Sequence, residues 1–235
     1  MISIICPLYN EKSEINKFLL QFKDIKHNFE VICVDGGSSD NTVKLVENQV
    51  NTTNYPLSIY KKQAESRAAS MNRGARHAKG EILWFLHVDS RVNQKHFNAI
   101  TDVLKTDSCI QAGAFNIRFN SKKRYFRGIE TFSNLRAYFF DMYHGDQALF
   151  ITKKLFDCIG GYENIPLMED VSMSQLLKCT TKTKLLYPPV LASPRRIESN
   201  GFLKMVFWYF YMKTMYRITN NAEYVARLYR KLKSK

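Results

Sequence analysis

Apolar residues in this chain come in short, near-continuous runs separated by longer stretches with helix spacing. Ile2–Cys6, Val31–Val34 and Ile82–Leu86 are too short for helices and read as buried strands, the last buried on both faces, and Leu57–Lys61 reads as a further short strand. Between them, Ile15, Phe18, Leu19 and Phe22 recur at helical spacing, and Ala68, Ala69, Met71 and Ala75 give Arg67–His77 a small-residue face for packing on a sheet. Strands alternating with helices in this way predict a right-handed, mostly parallel α/β sheet. Further on, a helix through Phe97, Ile100 and Leu104 leads to an alternating strand at Ala112–Phe119 and a β-like run at residues 148–152. A helix from Phe156 to Tyr162 ends at Gly160–Gly161, and an amphipathic helix carries Val171, Met173, Leu176 and Leu177. Residues 120–144 are basic and aromatic, readable either as solvated surface or as a flap over a site.

Each early strand stops at polar chemistry. The first is broken by Pro7 and followed by Asn10 and Glu11; the second ends on Asp35, with Gly36 and Gly37 for a tight turn; the fourth runs into Asp89. In open α/β sheets the carboxyl ends of the strands form the ligand edge, so Glu11, Asp35 and Asp89 are expected to line one site. An isolated Asp after a strand more often caps the next helix, and acids such as Glu169 and Asp170 at a helix start complement its dipole. Ser193–Arg196 reads as a rigid turn presenting two guanidinium groups suited to a diphosphate.

Taken in order, these elements resemble family 2 glycosyltransferases, the large group with the nucleotide-sugar-binding GT-A fold. The matching motifs are Pro7-Leu8-Tyr9-Asn10-Glu11, Asp35 through Thr42, Arg67 with Asn72 and Gly74, His87-Val88-Asp89 in place of D-x-D, and Glu169-Asp170. The His-x-Asp form, with Gly145-Asp146-Gln147 and Pro194-Arg195-Arg196, resembles one bacterial subgroup. The resemblance implies that Pro7, Tyr9, Glu11, Asp35, Gly36, Arg67, Asn72, His87, Asp89, Arg195 and Arg196 hold a nucleotide-diphosphate sugar. Asp89, with His87, would hold Mn²⁺ or Mg²⁺, and Asp170 would be the general base, ahead of Glu169. Asp146 and Gln147 would face the acceptor. It implies an inverting transferase acting on a hydroxyl or phosphate of a lipid-linked, glycan or small-molecule acceptor. A non-catalytic nucleotide- or partner-binding protein on the same scaffold is the alternative.

Composition narrows the classes further. The 235 residues, 45% hydrophobic and 24% charged, describe an ordinary globular chain. No G-x-G-x-x-G follows the first strand and no phosphate-binding G-x-x-x-x-G-K-[ST] occurs, which sets aside a dinucleotide oxidoreductase and a P-loop enzyme. Cys6, Cys33, Cys109, Cys158 and Cys179 include no C-x-x-C pair, and with no apolar leader ahead of the first strand they read as reduced thiols in a cytoplasmic protein. The net charge is +14, and eight Lys and Arg against one Glu in residues 201–235 supply half of it. The same segment is crowded with aromatics around Met205–Met212, too short a run to span a bilayer. We therefore expect a GT-A domain over residues 1–200 and a basic aromatic helical appendage over 201–235. That appendage would meet either an anionic membrane at its inner face or protein, including a second copy. Charge concentrated there, not spread over a recognition face, argues against nucleic acid.

Overall fold

The computed structural model describes residues 1–62, 66–219 and 221–233, and their side chains except at 196, 200, 202, 203, 205, 206, 209, 217 and 230–233. The loop expected after the third strand thus lies partly outside the described residues. Seven strands form one sheet: β1 (Ile2–Leu8), β2 (Phe29–Asp35), β3 (Leu57–Lys61), β4 (Ile82–Phe85), β5 (Ile110–Phe119), β6 (Phe150–Thr152) and β7 (Lys182–Ala192), in the order β3-β2-β1-β4-β6-β5-β7. β1 pairs in parallel with β2 and β4, β2 with β3, and β5 with β7, whereas β6 runs antiparallel between β4 and β5. The expected α/β sheet is therefore present.

The helices are α1 (Ile15–Leu20), α2 (Thr42–Val50), α3 (Arg67–His77), α4 (Gln94–Thr106), α5 (Tyr125–Phe140), α6 (Lys153–Cys158), α7 (Glu169–Thr180), α8 (Arg195–Asn200), α9 (Phe202–Thr219) and α10 (Ala222–Lys233). Period-two alternation splits the core between the two faces of the sheet. Ile4, Cys6, Trp84 and Leu86 join Phe18, Phe22 and Phe97 on one face. Ile5, Val34, Leu83 and Phe85 join Ala68, Met71, Phe156 and Leu177 on the other. Gly113 is demanded by closeness: a Cβ there would lie 2.2 Å from Lys184 O.

Four expectations change. β1 does not stop at Cys6 but continues through Pro7, which pairs with Val34. Ile5 O accepts from Leu86 N on the β4 side, so Pro7, two residues on, faces the same side, where β4 has already ended and no amide proton is needed. The expected helix at Phe156–Tyr162 starts earlier and ends at Cys158, before Gly160 and Gly161 with φ of +81° and +75°. The rigid turn expected at Ser193–Arg196 runs into a helix, since Arg195 opens α8. The charged 120–144 stretch contains the well-formed helix α5.

That helix is turned inside out. Its buried residues are Phe126, Glu130, Arg136 and Ala137, while Phe132, Leu135, Tyr138, Phe139 and Phe140 are exposed. The cause lies in β5, whose pairs with β6 are Ala112–Ile151 and Gly113–Phe150, so the strand runs on past the end of its partner. Asn134 Oδ1 accepts from Ile117 N at 2.9 Å, Asn134 Nδ2 donates to Ile117 O at 3.1 Å, and Glu130 accepts from Phe119 N at 2.7 Å. Polar side chains of α5 thus take the place of a strand, and the aromatics are left outward. α9 reaches this helix through Phe132 and Phe210, whose ring centroids are 5.6 Å apart, and Lys213 Nζ lies 3.1 Å from Met142 Sδ. Part of the C-terminal segment therefore packs on the sheet domain. No described helix is long and apolar enough to cross a membrane.

Candidate functional site

The loops after β1 and β2 are laced into one unit. Asn10, in the left-handed region at φ 54°, donates its N–H to Ser38 Oγ at 2.8 Å, and its Oδ1 accepts from Ser39 N at 2.8 Å. Glu11 N donates to Thr42 Oγ1 at 2.8 Å. Asp35 is buried, and its Oδ2 accepts from Gly37 N and Ser38 N, both at 2.9 Å, while Gly36 N donates to Leu8 O. Asp35 and Gly36 therefore fix the shape of this turn. Pro7 sits half-buried beneath it and Tyr9 stands 65% exposed at its rim.

Arg195, at the start of α8, ties this unit to the loop after β4. Its guanidinium pairs with Glu11, Nη1 donates to Ser13 Oγ at 3.4 Å, and Nε lies 3.9 Å from Asp89 Oδ2. The Arg196 side chain lies outside the described residues.

Beyond Asp89 opens a cavity of about 500 Å³. Its polar floor is Arg67, His87, Asp89, His144, Asp146 and Asp170, and its walls include Phe119, Ile129, Phe132, Ile197 and Phe210. Gly145 makes the floor compact, since a Cβ there would lie 2.7 Å from His87 Nε2. Asp170 Oδ2 accepts from Gly145 N at 3.0 Å and lies 3.8 Å from His144 Nδ1. Burial opposes ionisation of Asp170, but His144, Arg67 and N–H donors from Gly145 and Val171 outweigh it and hold the carboxyl below its ordinary range. Burial, helped by Arg136, Lys213 and Arg67, pushes His144 down to about 3 against the pull of Asp170. Neighbouring Glu169 is buried and pairs with Arg67.

Asp146 behaves oppositely to Asp170. Burial, with Asp170 and Asp89 adding to it against Arg136, pushes its pKa from 3.8 up to about 6. A carboxyl raised on folding binds its proton more tightly in the native state, so the destabilisation it causes grows from pH 4 to 6 and is complete above pH 6. Asp146→Asn is expected to stabilise the protein by roughly 2 kcal/mol at pH 7.5, a Tm gain of about 4–8 °C that fades to nothing near pH 4. A Tm gain independent of pH would show that the carboxylate charge is not its source.

Donor chemistry for a metal is sparse. Among the described residues no group of three or more His, Cys, Asp and Glu is arranged to hold one. A hard cation bound largely through substrate phosphates needs only one or two carboxylates, so Asp89 at the cavity edge fits such an ion and His87 beside it adds a nitrogen.

The family model for glycosyl transferase family 2 matches residues 3–163. The chain belongs to this family. It is 29% identical over 115 residues to a dolichyl-phosphate beta-glucosyltransferase of Dictyostelium discoideum, a stretch covering 44% of this chain and 35% of the relative. It is 31% identical over 96 residues to the poly(ribitol-phosphate) beta-N-acetylglucosaminyltransferase TarS of Staphylococcus aureus, covering 40% of this chain and 17% of that relative. The mannosyltransferase PcManGT of Pyrobaculum calidifontis, solved with GDP-Man and Mn²⁺, superposes with a TM-score of 0.66 at 21% identity, covering 82% of this chain and 56% of that one. The chain thus spans about a third or less of the curated relatives and little over half of the solved enzyme. The seven-stranded, mostly parallel sheet is the GT-A fold.

Of the residues that the family 2 motifs single out, Arg67, His87, Asp89, Asp146 and Asp170 meet in the cavity, and Arg195 joins Glu11 to Asp89 beside it. Three others are held by partners within the protein. Asn72 does not face the site: Nδ2 donates to Tyr162 O at 2.7 Å and Oδ1 accepts from Tyr162 N at 2.8 Å, clipping α3 to the loop before α7. Gln147 is fully buried and accepts from Arg136 at 2.9 Å and from His144 N at 3.2 Å, so it supports the floor from below. Glu169 is buried and its carboxylate pairs with Arg67. His144 and Arg136 belong to the floor but were not singled out as site residues, His144 although it directly precedes Gly145-Asp146.

Proposed function

We propose that this family 2 chain transfers a sugar from a nucleotide-diphosphate donor to an acceptor hydroxyl or phosphate with inversion at the anomeric carbon. The observation that carries this reading is Asp89 and Asp170 lining one cavity, with Arg195 joining Asp89 to the β1 and β2 loops. Tyr9, Pro7, Glu11 and Asp35 would take the nucleoside, and Arg195 would exchange its carboxylate partners for the diphosphate. Asp89, with His87, would hold Mn²⁺ or Mg²⁺, which when bound neutralises charge on the leaving diphosphate. For a hydroxyl acceptor, the oxygen bonds to the anomeric carbon and its proton passes to Asp170, while the carbon–oxygen bond to the diphosphate breaks and the nucleotide leaves with the electron pair. One carboxylate acting across from the leaving group makes this a single displacement, hence inversion.

A non-catalytic binding protein remains the second reading, favoured by His87 standing where most of the family has an acid. Thermal shift with UDP, GDP, dTDP, CDP and ADP, each with and without Mn²⁺, tests the donor site. One nucleotide at a hundredfold excess over its Kd should add about 2.7 kcal/mol of stability. No shift with any of the five would defeat the transferase reading.

A further inference from the structure

The cavity has two unlike halves. Its floor carries three carboxylates, Asp89, Asp146 and Asp170, whereas its guanidinium groups are already engaged, Arg67 by Glu169 and Arg136 by Gln147 and Met142 O. Its outer wall is apolar: Ile129 and Phe132 from α5, Ile197 from α8 and Phe210 from α9. Phe132 belongs both to this wall and to the exposed aromatics of α5, which face outward because the polar side of that helix is spent on β5. Large exposed apolar patches on a globular protein mark ligand or interaction surfaces.

We propose that the acceptor is an amphiphile, a long apolar chain ending in a neutral hydroxyl, with the chain along Ile129, Phe132, Ile197 and Phe210 and the hydroxyl over Asp170. This deepens the transferase reading and rests on it. Charge decides the head group. A phosphate head would enter a floor of carboxylates whose cations are paired elsewhere, while a hydroxyl needs what the floor supplies, a carboxylate to take its proton. Length decides the tail, because a short polar acceptor would leave the aromatic wall against water.

The two halves can be tested with probes of one chain and different heads. Farnesol, farnesyl phosphate, the five-carbon alcohol prenol and glucose would be compared as acceptors, using the donor found in the nucleotide panel. Ten extra carbons buried on the wall should lower KM for farnesol more than tenfold below prenol. Gly128 supplies the second arm: it lines the cavity, and a Cβ there meets nothing within 4 Å. Gly128→Trp fills the wall and improves helix propensity, so folding is retained. It should raise KM for farnesol about tenfold and leave the donor KM unchanged. Farnesol binding by thermal shift needs no donor, so the wall is tested even if no nucleotide binds. Wild type stabilised more than Gly128→Trp supports the site, and equal shifts overturn it. Preference for farnesyl phosphate, or equal use of prenol and farnesol, overturns the proposal while leaving the transferase reading intact. Transfer only to glucose does the same.

Discussion

Asp170→Asn is expected to lower kcat by about 10²–10⁴-fold for a hydroxyl acceptor, the usual range for removing a general base, with nucleotide thermal shift retained. The substitution is clean because Asn Oδ1 can still accept the 3.0 Å hydrogen bond from Gly145 N, so the floor keeps its shape. What disappears is the proton acceptor. Asp170 is held below its ordinary range, which keeps it ionised at every working pH at the cost of basicity. The acid limb of kcat should therefore lie below the ordinary carboxylate range, since the rate falls only when the base itself is protonated. A limb near pH 6 would instead hand the role to Asp146, whose pKa lies at about 6. Undiminished turnover in Asp170→Asn would remove the carboxylate from the mechanism altogether.

How much of this was legible beforehand depended on distance along the chain. Strand ends are local signals: an apolar run leading to Asp35 or Asp89 announces a strand, and the structure forms one at Phe29–Asp35 and one at Ile82–Phe85, four residues before Asp89. Partners are not local. Asn72 meets Tyr162, and Glu169 meets Arg67, across about a hundred residues, so a motif position that is polar and near the site reads as ligand-facing until its partner is known. The α5 helix was illegible for a different reason. Burial of Glu130 and Arg136 with exposure of Tyr138, Phe139 and Phe140 inverts the usual amphipathic stripe, because hydrogen bonding to the unpaired end of β5 outweighs burial of the aromatics. A pattern reader sees charge and aromatics without period, and leaves the segment as surface or flap.

The second large effect is expected at Asp89. Replacing it by Asn should weaken the selected nucleotide by roughly a hundredfold, about 2.7 kcal/mol, and should abolish the part of its thermal shift that depends on Mn²⁺. Two roles for Asp89 compete. As an ion ligand it contributes a carboxylate oxygen that Asn supplies only as a weaker neutral donor. As a partner of Arg195, with Nε 3.9 Å from Oδ2, it would merely help hold the guanidinium over the phosphates. The second role is the smaller, since Arg195 is only a third exposed and keeps its pair with Glu11 after the change. The roles separate in the Mn²⁺ comparison. Loss of the metal-dependent shift alone assigns Asp89 to the ion. Loss of the metal-independent shift, with the Mn²⁺ increment intact, assigns it to Arg195 and leaves His87 to account for any ion bound. Arg195→Lys sharpens the test, because Lys keeps the charge but not the fork that holds Glu11 and Asp89 together. If Asp89 serves the ion, Arg195→Lys lowers affinity equally with and without Mn²⁺.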